Sequence, residues 1–399
     1  MKLDLAATLS DLVAIPSVNP MGRPASGPEF FEYRVTEYLE RLFNRLGLRS
    51  ERQTIAPLRE NILARLDGGV PPERGGPILL FEVHQDTVPA DGMTIDPWTP
   101  VVRDGRLYGR GACDVKGGMA AMLWAMARLA DERPPNRPTM ILACTVNEEH
   151  GFTGASGLCR LWTDERSPLF PRPPEGAIVA EPTGLNIVVA HKGVVRWRCH
   201  AHGRAAHSSQ PEKGDNAIYR IAPIVTALAR YHREVLANFG SHPLCGRPTL
   251  SVGTIAGGIS VNTVPDRATI EIDRRLIPGE DPERAYRQVL DYLETALGDP
   301  EAAQHIEHDP PFIQSAGLSD VANGGLGERL AGAARSVTGK SSKIGVPFGT
   351  DAAAIARAGV PAVVFGPGSI DQAHTADEWV PLDEVEHAAE ILYRVASEW

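Results

Sequence analysis

Short apolar runs alternate with amphipathic stretches along most of the chain. Apolar positions recur at helical spacing near residues 3–15 and 28–47, and a strand is predicted over Asn61–Leu66. Three later runs, PILLFEVHQDTVP (77–89), PTMILACTVNEEH (138–150) and GAIVAEPTG (176–184), are apolar and then end abruptly in His, Asp or Glu. Ligands of open α/β sheets bind just beyond the carboxyl ends of such strands, so chemistry is expected at these endings. From about 192 to 308 the rhythm changes. A strand at RWRCHAHG, a helix near 216–236, two strands at TLSVGTIAGG and ATIEIDRRLIP and a helix near 282–297 suggest a compact α+β insertion. The α/β rhythm then resumes, with a helix near 319–338, the run PAVVFGPG (361–368) and a last helix near 383–397. One discontinuous domain at 1–191 and 309–399, interrupted by a second at 192–308, is therefore predicted.

The length of 399 residues agrees, since it exceeds what one core usually fills. A formal charge of −10 makes nucleic acid and anionic membrane unlikely partners. The five cysteines are odd in number and lack CxxC spacing, which fits a reducing, cytoplasmic setting. The segment MKLDLAATLSDLVAIPSVNP carries Asp4 and Asp11 within its apolar pattern, so it reads as an amphipathic helix rather than a signal peptide or membrane span.

The strand ends gather His84, Asp86, Glu148, Glu149 and Glu181, to which Asp114 in GRGACDVKGG and His374 in DQAHTADEW add themselves. Carboxylates and imidazoles without thiolates suit Zn²⁺ and related divalent ions, but there are too many carboxylates for one tetrahedral ion. Two ions sharing a carboxylate would use them, activating water and polarising a carbonyl while an unligated carboxylate acts as general base. Glu148 and Glu149 offer that division, because neighbours on an extended segment point to opposite sides. GRGACDVKGG lacks the third glycine of a dinucleotide fingerprint, and Cys113 reads as a packing residue.

Taken in order, FEVHQDTVP, GRGACDVKGGMAAM, VNEEHGFTGA, VAEPTG, AAHSSQPEKGDNAI and FGTDAAAI with AHTADEW resemble the dinuclear zinc peptidases and deacylases that include acetylornithine deacetylase, succinyl-diaminopimelate desuccinylase, aminoacylase and glutamate carboxypeptidase. The resemblance implies an α/β, mixed-sheet catalytic domain with helices on both faces and an inserted α+β lid or dimerisation domain. It implies that Asp114 bridges two metal ions, with His84 and Glu181 completing one position and Glu149 and His374 the other. The ions would be zinc, with cobalt or manganese able to share the ligands. Glu148 becomes the base, and Asp86 orients the imidazole of His84. A cis peptide after Asp114 is implied as well. Glu at position 181 tilts the activity towards cleaving an N-acyl-amino acid. In the insertion, the resemblance implies that His207 stabilises the oxyanion, from the partner subunit of a homodimer built through 192–308. Asn262 and Arg275 hold the substrate, with Arg274 a second choice on the opposite strand face, and Gly349 and Gly366 lie beside the substrate. His200 and His202 read as surface histidines. A glutamate-releasing carboxypeptidase and a silent binding homologue are the alternatives.

Overall fold

Residues 2–164, 167–298 and 304–399 are described by the computed structural model. The chain divides into one unit of Met1–Val189, Ser319–Ile344 and Thr350–Trp399 and a second of Ala190–Leu318 and Gly345–Gly349.

The first unit is built on a mixed eight-stranded sheet. At its centre Thr139–Thr145, Ile78–His84, Gly176–Val179 and Ala362–Val364 run side by side and parallel, His84 opposite Thr145 and Val364 opposite Val179. Every residue of these four strands is buried, which is why they read as continuous apolar runs instead of alternating ones. Their carboxyl ends lie along one rim, so the charged residues after each run are neighbours in space.

Leu79, Phe81 and Val83 join a core shared with helices Leu5–Val13, Tyr33–Arg45, Gly117–Glu132, Gly324–Thr338 and Leu382–Ser397. The intervening residues Leu80, Glu82 and His84 take the opposite face by the period of two. Helices Thr153–Thr163 and Ala352–Arg357 contact each other and strands of the sheet. Among the described residues no helix is long and apolar enough to cross a membrane.

The second unit is a five-stranded antiparallel sheet in which Gly193–His202 and Arg267–Leu276 are central and Thr249–Gly257 is an edge. Arg267–Leu276 alternates strictly, with Ala268, Ile270, Ile272, Arg274 and Leu276 buried. Helices Ala217–Arg230 and Pro282–Leu297 pack on this apolar face.

Three expectations need correction. The helix expected from 28 begins at Tyr33, because Phe30 bridges Val18 and Phe31 adopts a left-handed φ of 65° that no helix accommodates. Strand Arg49–Ala56, which pairs antiparallel with Arg59–Leu66, was not anticipated. The second unit does not end at 308: Ile313–Ser315 hydrogen-bonds to Gly193–His202, so the segment through Leu318 belongs with it.

Candidate metal centre

His84 ends its strand with Nδ1 2.9 Å from the backbone carbonyl of Asp86. A carbonyl only accepts, so Nδ1 carries the hydrogen and Nε2 presents a lone pair. That lone pair faces Asp114 Oδ1 at 3.1 Å. A cation must lie between them: a proton, which makes the ring an imidazolium that donates to Asp114, or a metal ion.

The second oxygen of Asp114 faces His374 Nε2 at 3.2 Å, and Glu149 Oε2 lies 3.3 Å from the same nitrogen. Two donor sets result, His84–Asp114–Glu181 and Asp114–Glu149–His374, and within each the ligand atoms lie within 4.8 Å of one another. They share Asp114. Three protein donors for each ion, with positions left for water and substrate, is the pattern of catalytic rather than structural zinc sites. The residues present therefore fit two divalent ions.

The electrostatics agree. Burial, then the charge of Asp114, pushes Glu149 up to about 7 and Glu181 well above the usual carboxylate range. Burial would raise Asp114 too, but hydrogen bonds from His374 and His84 hold it low. The bonds to Asp114 and Glu149 push His374 up to about 10. Such a concentration of buried negative charge calls for metal.

The turn bearing Asp114 spans Ala112–Lys116 and contains a cis Asp114–Val115 peptide. Glu148 and Glu149 also lie in a turn, not on the extended segment expected, after Asn147 at a φ of 64°. Burial and the neighbouring Glu181 raise Glu148 well above the ordinary range, whereas Glu149 engages His374. The two glutamates thus serve different neighbours, through turn geometry instead of strand alternation.

Asp86 departs from expectation. Its carboxylate is 3.7 Å from His84 Nδ1, and the imidazole is held by the Asp86 carbonyl instead. The carboxylate accepts the amides of Glu148 (3.1 Å) and Glu149 (3.2 Å) and the side chain of Asn19 (2.8 Å). Asn147 Oδ1 in turn accepts from Asn19 and Arg59. Asp86 therefore grips both the imidazole, through its backbone, and the glutamate turn, through its side chain.

Sequence reasoning passed over three residues. Asn19 gave no signal. Asp351 stands in FGTDAAAI; its Oδ2 lies 3.3 Å from the Thr145 hydroxyl, which also meets buried Glu82. Glu378 stands in AHTADEW and binds the Asp114 turn. The quoted motifs contained the last two without a role.

Gly366 passes so close to the backbone of Glu181 that a Cβ there would sit 2.6 Å from its carbonyl oxygen, so glycine is required. Gly349 lies in the second unit, half-buried.

In that unit His207 and Asn262 are neighbours. Ala206–His207 pairs with Thr263–Val264, and the Ser208 amide donates to the Asn262 carbonyl at 3.0 Å. His207 is exposed, and its Nδ1 accepts the Ser209 amide at 3.2 Å, which leaves Nε2 as the protonated, outward nitrogen of the neutral ring. Arg275 is half-buried against Asp273, at 2.7 and 3.1 Å. Arg274 is fully buried and paired with Glu280 at 2.6 Å. His200 meets Asp309 and, against expectation, is buried; half-buried His202 meets Glu307, and among the described residues neither joins a metal-ligand group.

Residues 80–398 match the model of peptidase family M20/M25/M40. The chain is 30% identical to an acetylornithine deacetylase of Myxococcus xanthus, over 98% of this chain and 97% of the relative. It is 28% identical to a probable succinyl-diaminopimelate desuccinylase of Staphylococcus aureus, over 88% of this chain and 89% of that one. An M20 family metallo-carboxypeptidase of Sulfolobus solfataricus shares the fold with a TM-score of 0.77 and 18% identity, covering 99% of each chain.

Proposed function

The chain belongs to peptidase family M20/M25/M40 and is a metal-dependent amidohydrolase, and from that premise we propose that it hydrolyses the amide of an N-acyl-amino acid. The observation that carries this reading is the pair of donor sets joined at Asp114 with Glu148 beside them. The relatives named as deacetylase and desuccinylase support the substrate class.

His84, Asp114 and Glu181 would hold one ion and Asp114, Glu149 and His374 the other, zinc by preference, with cobalt or manganese able to use the same ligands. When bound there, such ions would supply Lewis acidity to a carbonyl and to a water molecule. Glu148 takes the proton of the attacking water on its carboxylate and passes it to the leaving amine. Asp86 keeps Glu148 and His84 in register. His207 Nε2–H donates to the oxygen on which negative charge develops. Asn262 and Arg275 receive the substrate, the planar guanidinium suiting its carboxylate. Gly349 and Gly366 lie beside it, Gly366 held close against the Glu181 backbone.

The same reading makes the protein a homodimer through the second unit. In support, Thr249–Gly257 is a sheet edge with mostly exposed positions, near which Ile259 and Val261 are 91% and 100% exposed. His207 then acts in the partner's site. Five buried cysteines, odd in number, accord with a cytoplasmic setting.

Turnover of N-acetylornithine, N-succinyl-diaminopimelate, other N-acyl-amino acids and acyl-glutamates by protein of measured metal content tests the reading. Cleavage of acyl-amino acids with two ions bound is expected. Release of C-terminal glutamate from peptides alone would favour the carboxypeptidase alternative.

A further inference from the structure

Glu378 closes the run that supplies His374, yet its carboxylate meets the backbone of Asp114 and is in neither donor set. It is wholly buried, and four donors converge on its carboxylate. The amides of Cys113 and Asp114 reach Oε1 at 2.9 and 3.0 Å; the amide of Gly111 and Nη1 of Arg110 reach Oε2 at 2.9 and 2.6 Å. The Gly109 amide donates to the Glu378 carbonyl at 3.0 Å. Gly111 makes the wrap possible: it takes a φ of 81°, and a Cβ there would lie 2.6 Å from Thr87 Cγ2. Successive amides curled in this way form a nest for an anion. The chain supplies the anion itself, and Arg110 balances the charge.

Resting on the dinuclear reading above, we propose that Glu378 is a positioning residue for the second metal position, fixing where Asp114 stands relative to His374. Asp114 hangs from the turn that Glu378 holds by its amides, and His374 lies four residues before Glu378 in the same loop. The separation of Asp114 Oδ2 from His374 Nε2, 3.2 Å, is therefore set by one carboxylate and one short stretch of backbone. His84 and Glu181 come from the ends of strands Ile78–His84 and Gly176–Val179, which the sheet holds without Glu378. Loss of the clamp would disturb one of three ligands of the first position, Asp114, but two of three of the second, Asp114 and His374, so it should fall mainly on the second.

The test is titration of metal-depleted protein with zinc by calorimetry, and with cobalt by visible absorption, which reports ligand geometry. Wild type should take up two ions. Glu378→Gln should bind the second about 10–100-fold more weakly, the usual effect of losing an outer hydrogen-bonding partner of a metal ligand, and the first with a clearly smaller loss. The cobalt spectrum of the second ion should change with it. Arg110→Lys keeps the charge but not the fork, and should shift the second affinity in the same direction by less. Wild-type affinities and spectra in Glu378→Gln, or equal weakening of both positions, would overturn the inference while leaving the dinuclear reading intact. Fewer than two ions in wild type would overturn that reading and the inference with it. Should Glu378→Gln fail to fold, Arg110→Lys decides, and an unchanged second affinity there sinks the proposal.

Discussion

The metal centre and the His207–Asn262 corner are built in opposite ways. In the first unit Asp86, Asp114 and Glu378 are buried, and the main chain supplies amides to both Asp86 and Glu378. In the second unit His207 and Asn262 are exposed, each with a nearby serine for a side-chain partner. Metal ligands must stand within a few tenths of an ångström before any ion arrives, so that geometry is set by backbone. Groups proposed to meet substrate need their positions only once it is bound, so light tethering suffices.

Substitutions can break that contrast. The largest effect is expected at Glu148: Glu148→Gln should retain both ions and lose about 10²–10⁴-fold in kcat, since an amide accepts no proton. Metal analysis beside steady-state kinetics checks this, and a fall in metal content would mean that Glu148 is a ligand. His207→Ala should cost about 10²–10³-fold in kcat with metal content and melting temperature unchanged, because nothing buried depends on it. Mixing it with Glu148→Gln should restore activity if the histidine acts across a dimer; no recovery despite subunit exchange would place its action within one chain.

A smaller effect is expected at Asp86. Asp86→Asn turns a donor towards one of the two amides it now accepts, so the turn of Glu148 and Glu149 should shift and activity fall about 10–100-fold. Unaltered kinetics would show that the turn holds itself.

The smallest effect is one of pH. Burial, then the charge of Asp86, pushes Glu32 of the first unit up to about 8. The folded state then holds more protons than the unfolded one between about 4.5 and 8, and stability falls as pH rises through that window. Burial pushes His191 and His308 of the second unit down to about 4. There the unfolded state binds more protons, and stability falls as pH drops from about 6.5 towards 4. Amide exchange, corrected for its intrinsic pH dependence, should show opposite slopes in the two units, and Glu32→Gln and His308→Gln should each flatten one of them.

Much of this architecture is legible in the residues, for a physical reason. Strands buried on both faces must be continuously apolar, so the runs ending in His84, Glu148 and Glu181 announce both the sheet and its rim. Strand Arg49–Ala56 is hidden because RSERQTIA has one buried residue, and its identity comes from the backbone of its neighbour. The boundary at Leu318 is hidden likewise, since Ile313–Ser315 declares its allegiance only through hydrogen bonds to Gly193–His202. Asp86 shows the limit within a motif. Its spacing from His84 is plain, but amides have no side-chain signature, so nothing in HQD says that the carboxylate turns to the Glu148 and Glu149 backbone.

The place of strand Ala362–Val364 bears on how the molecule is made. It lies between Gly176–Val179 and Ile187–His191, deep in the sheet, yet it is synthesised only after the whole of Ala190–Leu318. Until then Gly176–Val179 has an apolar edge with no partner on that side, the kind of edge that pairs with other chains. Pairing across so long a stretch of sequence is also slow, since the closure entropy is lost before the contacts are gained. A nascent chain halted just before residue 362 would hold every proposed ligand except His374, so uptake of both ions becomes possible only after the sheet's last inner strand has been synthesised.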